Sequence, residues 1–294
     1  MRYNFLRIIV LTIALAAFAG MPVRAQKVTD TLVILHTNDV HSQIQPKTMK
    51  AHDGVPAHEE GGVLPRMALL EQVRAKYEKV LLFDAGDFSQ STSYYEVFKG
   101  FADIEVMNQM GYVAATLGNH EFDRGTGHLD TLLRTAHFPV VCANYVRRKS
   151  CPNNYLQMVK PYAIIDTFGL KIGVFGVVIT LDRITAHPEV LAEEYQYVDA
   201  LKTAKKYSKY LKKKEKCDLV ICLSHLGDVE DTNNKGSHDL DVNLAAQCPC
   251  IDILIGGHKH HTIEGKDAAN GTFYVQNRNQ GVEIGMFKIP LRRK

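Results

Sequence analysis

The chain has 294 residues, 46% of them apolar and 23% charged, with no Trp, six Cys and a formal net charge of +3. These proportions belong to a globular protein and exclude collagen-like, low-complexity, disordered and disulfide-dense miniature classes. The charge excludes a basic nucleic-acid binder, because Arg2, Arg7 and Arg24 account for all of it and the residues beyond position 25 hold 32 basic and 32 acidic side chains.

In chain order, Arg2 and Arg7 precede an apolar run, Ile8 to Met21, interrupted only by Thr12. The run is shorter than the roughly 20 residues of a bilayer-spanning helix. Val23-Arg24-Ala25 then sets small residues at the positions that precede a cleavage point before Gln26. This pattern predicts a signal peptide over residues 1–25, one domain over 26–294, no stable membrane span, and a periplasmic or secreted location. The first Cys is Cys142, so no lipid-carrying cysteine follows the apolar run.

Beyond the leader, strand-like runs alternate with helical patterns. Thr31–Thr37, Val80–Phe83, Val113–Thr116, Pro139–Ala143, Tyr162–Phe168 and Lys171–Val178 read as strands, as do Asp218–Leu223, Ile251–Ile255, Phe273–Gln276 and Glu283–Ile289. Met67, Leu70, Val73 and Tyr77 mark one face of a helix opened by Pro65. A second helix is marked by Phe101, Ile104, Val106 and Met107, and a third by Leu201, Ala204, Ser208 and Leu211. Gln45 to Gly62 reads as one long loop. The alternation predicts an α/β protein with buried, largely parallel sheet, and the runs around Phe168-Gly169-Leu170 predict an antiparallel hairpin that makes the sheets mixed.

Polar clusters follow five of the strands: Asn38-Asp39-Val40-His41, Asp84-Ala85-Gly86-Asp87, Gly118-Asn119-His120-Glu121-Phe122-Asp123, Ser224-His225-Leu226-Gly227 and Gly256-Gly257-His258-Lys259-His260. Singly each is an ordinary turn. Five in order at strand ends, where open α/β sheets carry their sites, form a metal-binding set. Asp39, His41, Asp87, Asn119, His225, His258 and His260 offer carboxylate, amide and imidazole but no thiolate. That mixture suits Zn, Mn, Co or Fe better than Ca or Mg. Seven ligands exceed one tetrahedral ion but suit two divalent metal ions ~3.5–4 Å apart that share a carboxylate and clamp a phosphoryl group.

The five blocks, in this order, resemble the 5′-nucleotidase branch of the calcineurin-like metallophosphoesterases, from about Thr31 to Pro290. Tyr94–Phe98, Phe101–Glu105 and Lys160-Pro161-Tyr162 fit the same branch. The resemblance implies two mixed β-sheets sandwiched by helices, with a dinuclear metal site at the strand C-terminal ends. It places Asp39, His41, Asp87 and His260 on one ion and Asp87, Asn119, His225 and His258 on the other, with Asp87 bridging. His120 then faces the phosphate as a catalytic residue, oriented by Asp123. The expected activity is hydrolysis of a small-molecule phosphate ester, a 5′-nucleotide in the first place, by attack of hydroxide carried on the metal pair. Two-domain members of the branch hold the base in a C-terminal domain, which this sequence lacks. On that reading the chain is either a broad phosphatase or takes a separate substrate-binding domain protein as its partner. The alternative readings are a catalytic subunit inactive without that partner, or a relative acting on nucleotide sugars, cyclic nucleotides or thiosulfate esters.

Other features read as structural. The eight lysines between Lys202 and Lys216 form the solvated face of an amphipathic helix, so no nucleic-acid polymer is expected as a partner. Cys142 with Cys151 is the most plausible local disulfide, Cys222 reads as a buried thiol, and Cys248-Pro249-Cys250 lacks the second pair of a zinc ribbon. His52, His58, Glu59 and Glu60 read as surface residues, and His128 and His137 as lacking a partner.

Overall fold

The computed structural model describes residues 28–51, 56–181, 188–229, 240–268 and 270–291. The segment read as a signal peptide lies outside these residues, as does His52. Along the chain run β1 (Val28–Thr37), β2 (Lys47–Met49), β3 (His58–Glu60), α1 (Val63–Lys76), β4 (Tyr77–Asp84), α2 (Ser93–Phe98), α3 (Phe101–Met110) and β5 (Ala114–Thr116). A 3₁₀ turn (His120–Phe122), α4 (Gly125–Leu133), β6 (Val140–Val141), β7 (Tyr145–Arg147), β8 (Tyr162–Thr167) and β9 (Leu170–Val178) follow. The remaining elements are α5 (Pro188–Glu194), β10 (Tyr195–Tyr197), α6 (Ala200–Lys213), β11 (Leu219–His225), α7 (Asp241–Gln247), β12 (Ile253–Ile255), β13 (Ile263–Asp267), β14 (Phe273–Gln276) and β15 (Gly285–Pro290).

Two sheets form the body. The first has the order β15-β1-β4-β5-β6, parallel except where β15 pairs antiparallel with β1. The second has the order β13-β14-β12-β11-β9-β8, with a parallel centre and antiparallel outer pairs. Successive side chains of a strand point to opposite faces, and here both faces are apolar. Leu32 and Ile34 of β1 pack with Ile221 and Leu223 of β11 in the core between the sheets. Val33 and Leu35 of β1, and Val220 and Cys222 of β11, belong to the core shared with the helices. Each such fully buried Leu, Ile or Val contributes about 1.5–3 kcal/mol, and β-branched runs without polar alternation are the pattern of a strand covered on both sides.

The sequence-predicted hairpin is present: β8 and β9 pair antiparallel around Phe168 and Gly169, whose φ values of 53° and 74° are those of a two-residue turn that suits the twist of the flanking strands. Other expectations shift. The strand read over Pro139–Ala143 contracts to β6, because the N–H groups of Cys142 and Ala143 bond to the carbonyls of Lys160 and Gly176, drawing the chain toward the second sheet. Tyr77, read as part of a helix face, is already extended and begins β4. The segment read as one long loop contains the ribbon β2–β3, and the short pair β7–β10 had no counterpart in the sequence reading. All six cysteines are free thiols, so the Cys142–Cys151 bridge is not formed.

Candidate metal centre

The parallel strands β1, β4 and β5 of one sheet and β11 and β12 of the other end at a common edge, and all five polar clusters meet there. Backbone hydrogen bonds zip the first two loops together: Asp39 N donates to Gly86 O at 2.9 Å and His41 N to Asp87 O at 3.0 Å. Five of the seven candidate ligands, Asp39, His41, Asp87, His258 and His260, have left-handed backbones with φ between 48° and 79°. A non-glycine residue in that region costs on the order of 1 kcal/mol or more. The strain is confined by the surrounding hydrogen bonds, and it turns each side chain toward the same point.

The side chains form two groups, Asp39, His41 and His260, and Asp87, His225 and His258; within each group one potential ligand atom per residue lies within 4.8 Å of the others. In the first, His260 Nε2 is 3.3 Å from Asp39 Oδ1 and 3.1 Å from His41 Nε2. In the second, His225 Nε2 is 3.0 Å from Asp87 Oδ2. The same nitrogen is 3.8 Å from Asp39 Oδ1, which links the groups. Asn119 joins the second group, its Oδ1 lying 3.1 Å from His258 Nδ1. All seven sequence-predicted ligands are therefore brought to one edge.

The donor set fits divalent cations. Asp39 and Asp87 are almost wholly buried, 0% and 1% exposed, beside a His225 that is also 0% exposed. His225 donates from Nδ1 to the Ala85 carbonyl at 2.7 Å, which leaves Nε2 as the inward nitrogen, facing Asp87 Oδ2. A backbone carbonyl that fixes the tautomer in this way is the usual support of a ligating imidazole. Burial opposes ionisation of Asp87, but the His225 charge and hydrogen bond hold its carboxyl well below the usual range. Burial likewise works against a charged His225, yet Asp87 and Asp39 raise its pKa to about 10. Burial and the His225 charge lower His258 to about 4, and burial also lowers His41, which keeps both imidazoles available as neutral ligands.

His120 and Asp123 stand beside these groups. His120 Nδ1 lies 2.7 Å from Asp123 Oδ2, its backbone N–H donates to Asp87 Oδ1 at 2.9 Å, and its ring centroid is 5.5 Å from that of His41. Burial disfavours the charged ring, but the Asp123 hydrogen bond and the Asp87 charge raise its pKa.

Three supporting residues were not singled out in the sequence. Glu121 accepts from the backbone N–H groups of Asp87, Gly118 and Ser89, joining the second and third loops. Asn38 donates to Asp39 Oδ2 at 2.7 Å and to the Asn277 carbonyl at 2.9 Å. Asn279 Nδ2 sits 3.1 Å from His260 Nδ1. Glu121 lies inside the third block, whereas Asn279 is marked only by the fold. His261 turns away to Asp228, and His128, which had no visible partner in the sequence, meets the Lys99 carbonyl.

The sequence pattern of the calcineurin-like phosphoesterases matches residues 32–262, the span that holds all five polar clusters. The chain belongs to that family. It is 33% identical over 230 residues to a snake venom 5′-nucleotidase of Gloydius brevicauda, covering 77% of this chain and 36% of that protein. A 5′-nucleotidase of Vibrio cholerae is 30% identical, with 92% of this chain and 51% of that protein covered. The crystal structure of a 5′-nucleotidase precursor from Thermus thermophilus superposes with a TM-score of 0.75 at 29% identity, over 88% of this chain and 51% of that one. The chain thus spans about a third to a half of the length of these relatives. As a calcineurin-like phosphoesterase it has the family's mixed two-sheet α/β fold and a set of candidate ligands for divalent metal. Among the described residues no helix is long and apolar enough to cross a membrane.

Proposed function

We propose that this chain is the catalytic part of an exported phosphoesterase that hydrolyses phosphate monoesters, 5′-nucleotides among them. The observation that carries the reading is the meeting of the two ligand groups at His225, with the His120–Asp123 pair alongside. Asp39, His41 and His260 would hold one divalent cation and Asn119, His225 and His258 the other, with Asp87 shared. When bound, such cations offset the charge of a phosphate ester and make its phosphorus more electrophilic.

The chain's own residues supply the rest. Asp123 holds His120 by Nδ1 and so presents Nε2 to the bound ester. A ring with a raised pKa donates a hydrogen bond to the oxygen on which charge develops, the effect that fixed donors exert in a buried site. The nucleoside as leaving group is proposed from the names of the relatives, and export from residues 1–25.

Full-length protein loaded with Mn²⁺ or Zn²⁺ is assayed against AMP, UDP-glucose, 2′,3′-cyclic AMP and p-nitrophenyl phosphate. Release of phosphate from AMP and p-nitrophenyl phosphate supports the reading, and preference for UDP-glucose or the cyclic nucleotide overturns it. Two bound metals with no turnover on any of the four esters overturns it as well.

A further inference from the structure

Behind the turn that carries His120 lies a cavity of about 510 Å³. Its volume is that of a small-molecule site. Leu117, which precedes the third polar cluster, and Phe122, within it, line the cavity, as do Tyr145, Tyr195 and Tyr207 from β7, β10 and α6. Two cations, Arg147 and Lys160, line it as well, and no carboxylate does. Among the described residues Lys160 Nζ donates to the carbonyl of Gln157, and Arg147 spends its Nη2 on the carbonyls of Cys151 and Asn153. Neither is in a carboxylate ion pair among the described residues. The Arg147 Nε is buried without a hydrogen-bond partner. The nearby Glu194 is outside the lining, its carboxylate taken by Thr126 and Asn153.

An unpaired buried donor is costly next to apolar walls, and the two cations at the cavity have no carboxylate partner; an anion with a flat apolar body satisfies both. We propose that this cavity is a binding site for a small aromatic anion, an aryl carboxylate or its like, with the ring between the tyrosines and Phe122 and the charge at Arg147 and Lys160. The site is separate from the metal centre and does not depend on the activity proposed for it. Phe122 and Tyr145 are in ring contact, at a centroid distance of 6.0 Å, so an occupant touches the residue that backs the His120 turn.

The probe is 2-naphthoate, titrated calorimetrically into the full-length, metal-loaded chain, with neutral 2-naphthamide in parallel. One saturable site is expected, with at least about tenfold preference for the anion, the worth of one charge-assisted hydrogen bond. Lys160 is exposed, and K160E is expected to weaken 2-naphthoate by at least about tenfold while leaving the amide unchanged. Excess inorganic phosphate, which would compete at the metal centre, is expected to leave binding intact. Because the chain has no Trp, Val146→Trp at the cavity rim gives an independent fluorescence readout of occupancy. Absence of saturable binding, equal affinity for acid and amide, indifference to K160E, or displacement by phosphate would each overturn the proposal.

Discussion

Gly118 runs so close to Asp87 that a β-carbon at Gly118 would lie 2.1 Å from Asp87 Oδ1 and 2.5 Å from the Asp87 backbone nitrogen. Two loops from neighbouring strands, β4 and β5, are thereby pressed together at the carboxylate proposed to serve both cations. Glu121 locks the contact by accepting from the N–H of both residues.

Gly118→Ala is therefore expected to displace the Asp87 carboxylate rather than merely stiffen a turn. Displacement by an ångström at a catalytic centre costs roughly 10²-fold in rate, and metal content falls with it. Elemental analysis of the purified variant beside its initial rate checks this: a G118A protein with both metals and unaltered turnover would remove Asp87 from the shared position.

The roles proposed for His120 and Asp123 separate catalysis from metal binding. His120→Ala is expected to keep metal content near that of the unmodified chain, since its ring is in neither ligand group, while turnover drops on the order of 10²–10³-fold. Asp123→Ala, which leaves the ring but frees it, is expected to fall between. Wild-type rates for H120A on p-nitrophenyl phosphate would dismiss the dyad.

Metal should also be visible as stability. A cation at a hundred times its Kd adds about 2.7 kcal/mol to a site that the unfolded chain lacks, or roughly 5–10 °C in Tm for a domain of this size. Thermal scans with EDTA and with Mn²⁺ or Zn²⁺ are expected to show that gap, and Asp87→Ala is expected to abolish it. An equal gap in D87A would place the stabilising ion elsewhere.

How much of this could be read in the sequence depends on what each residue signals locally. β1 and β11 were legible because strands buried on both faces must be apolar throughout, and Leu32 to Leu35 and Leu219 to Leu223 are. The candidate ligands that meet at one edge were legible because carboxylates and imidazoles at strand ends are scarce and came in order. β7 and β10 were not, since Tyr-Val-Arg and Tyr-Gln-Tyr become strands only by pairing with each other. Nor was the left-handed backbone of Asp39, His41, Asp87, His258 and His260. Sequence marks that conformation only when glycine fills it, whereas at Asp39, His41 and Asp87 it accompanies the backbone ladder between the two loops. Glu121 escaped notice for a related reason, because its partners are backbone N–H groups that every residue has.

Beneath the centre, Ser42 donates from Oγ to Asp103 Oδ2 at 2.9 Å, which ties the loop after His41 to α3. Burial raises the Asp103 pKa from 3.8 to about 7, against the opposing pull of Ser42 and Arg66. Between those two values the folded chain holds a proton that the unfolded chain has released, so this group makes stability fall as pH rises and contributes no slope above about 7. Asp103→Asn keeps an acceptor for Ser42 and removes the titration. The variant is thus expected to match or fall below the unmodified chain at pH 5 and to exceed it at pH 8. The two pH units between 5 and about 7 correspond to a relative gain of up to about 2.7 kcal/mol. Denaturant unfolding of both proteins at the two pH values measures the difference, and a difference that does not change with pH would mean that Asp103 is ionised in the fold throughout.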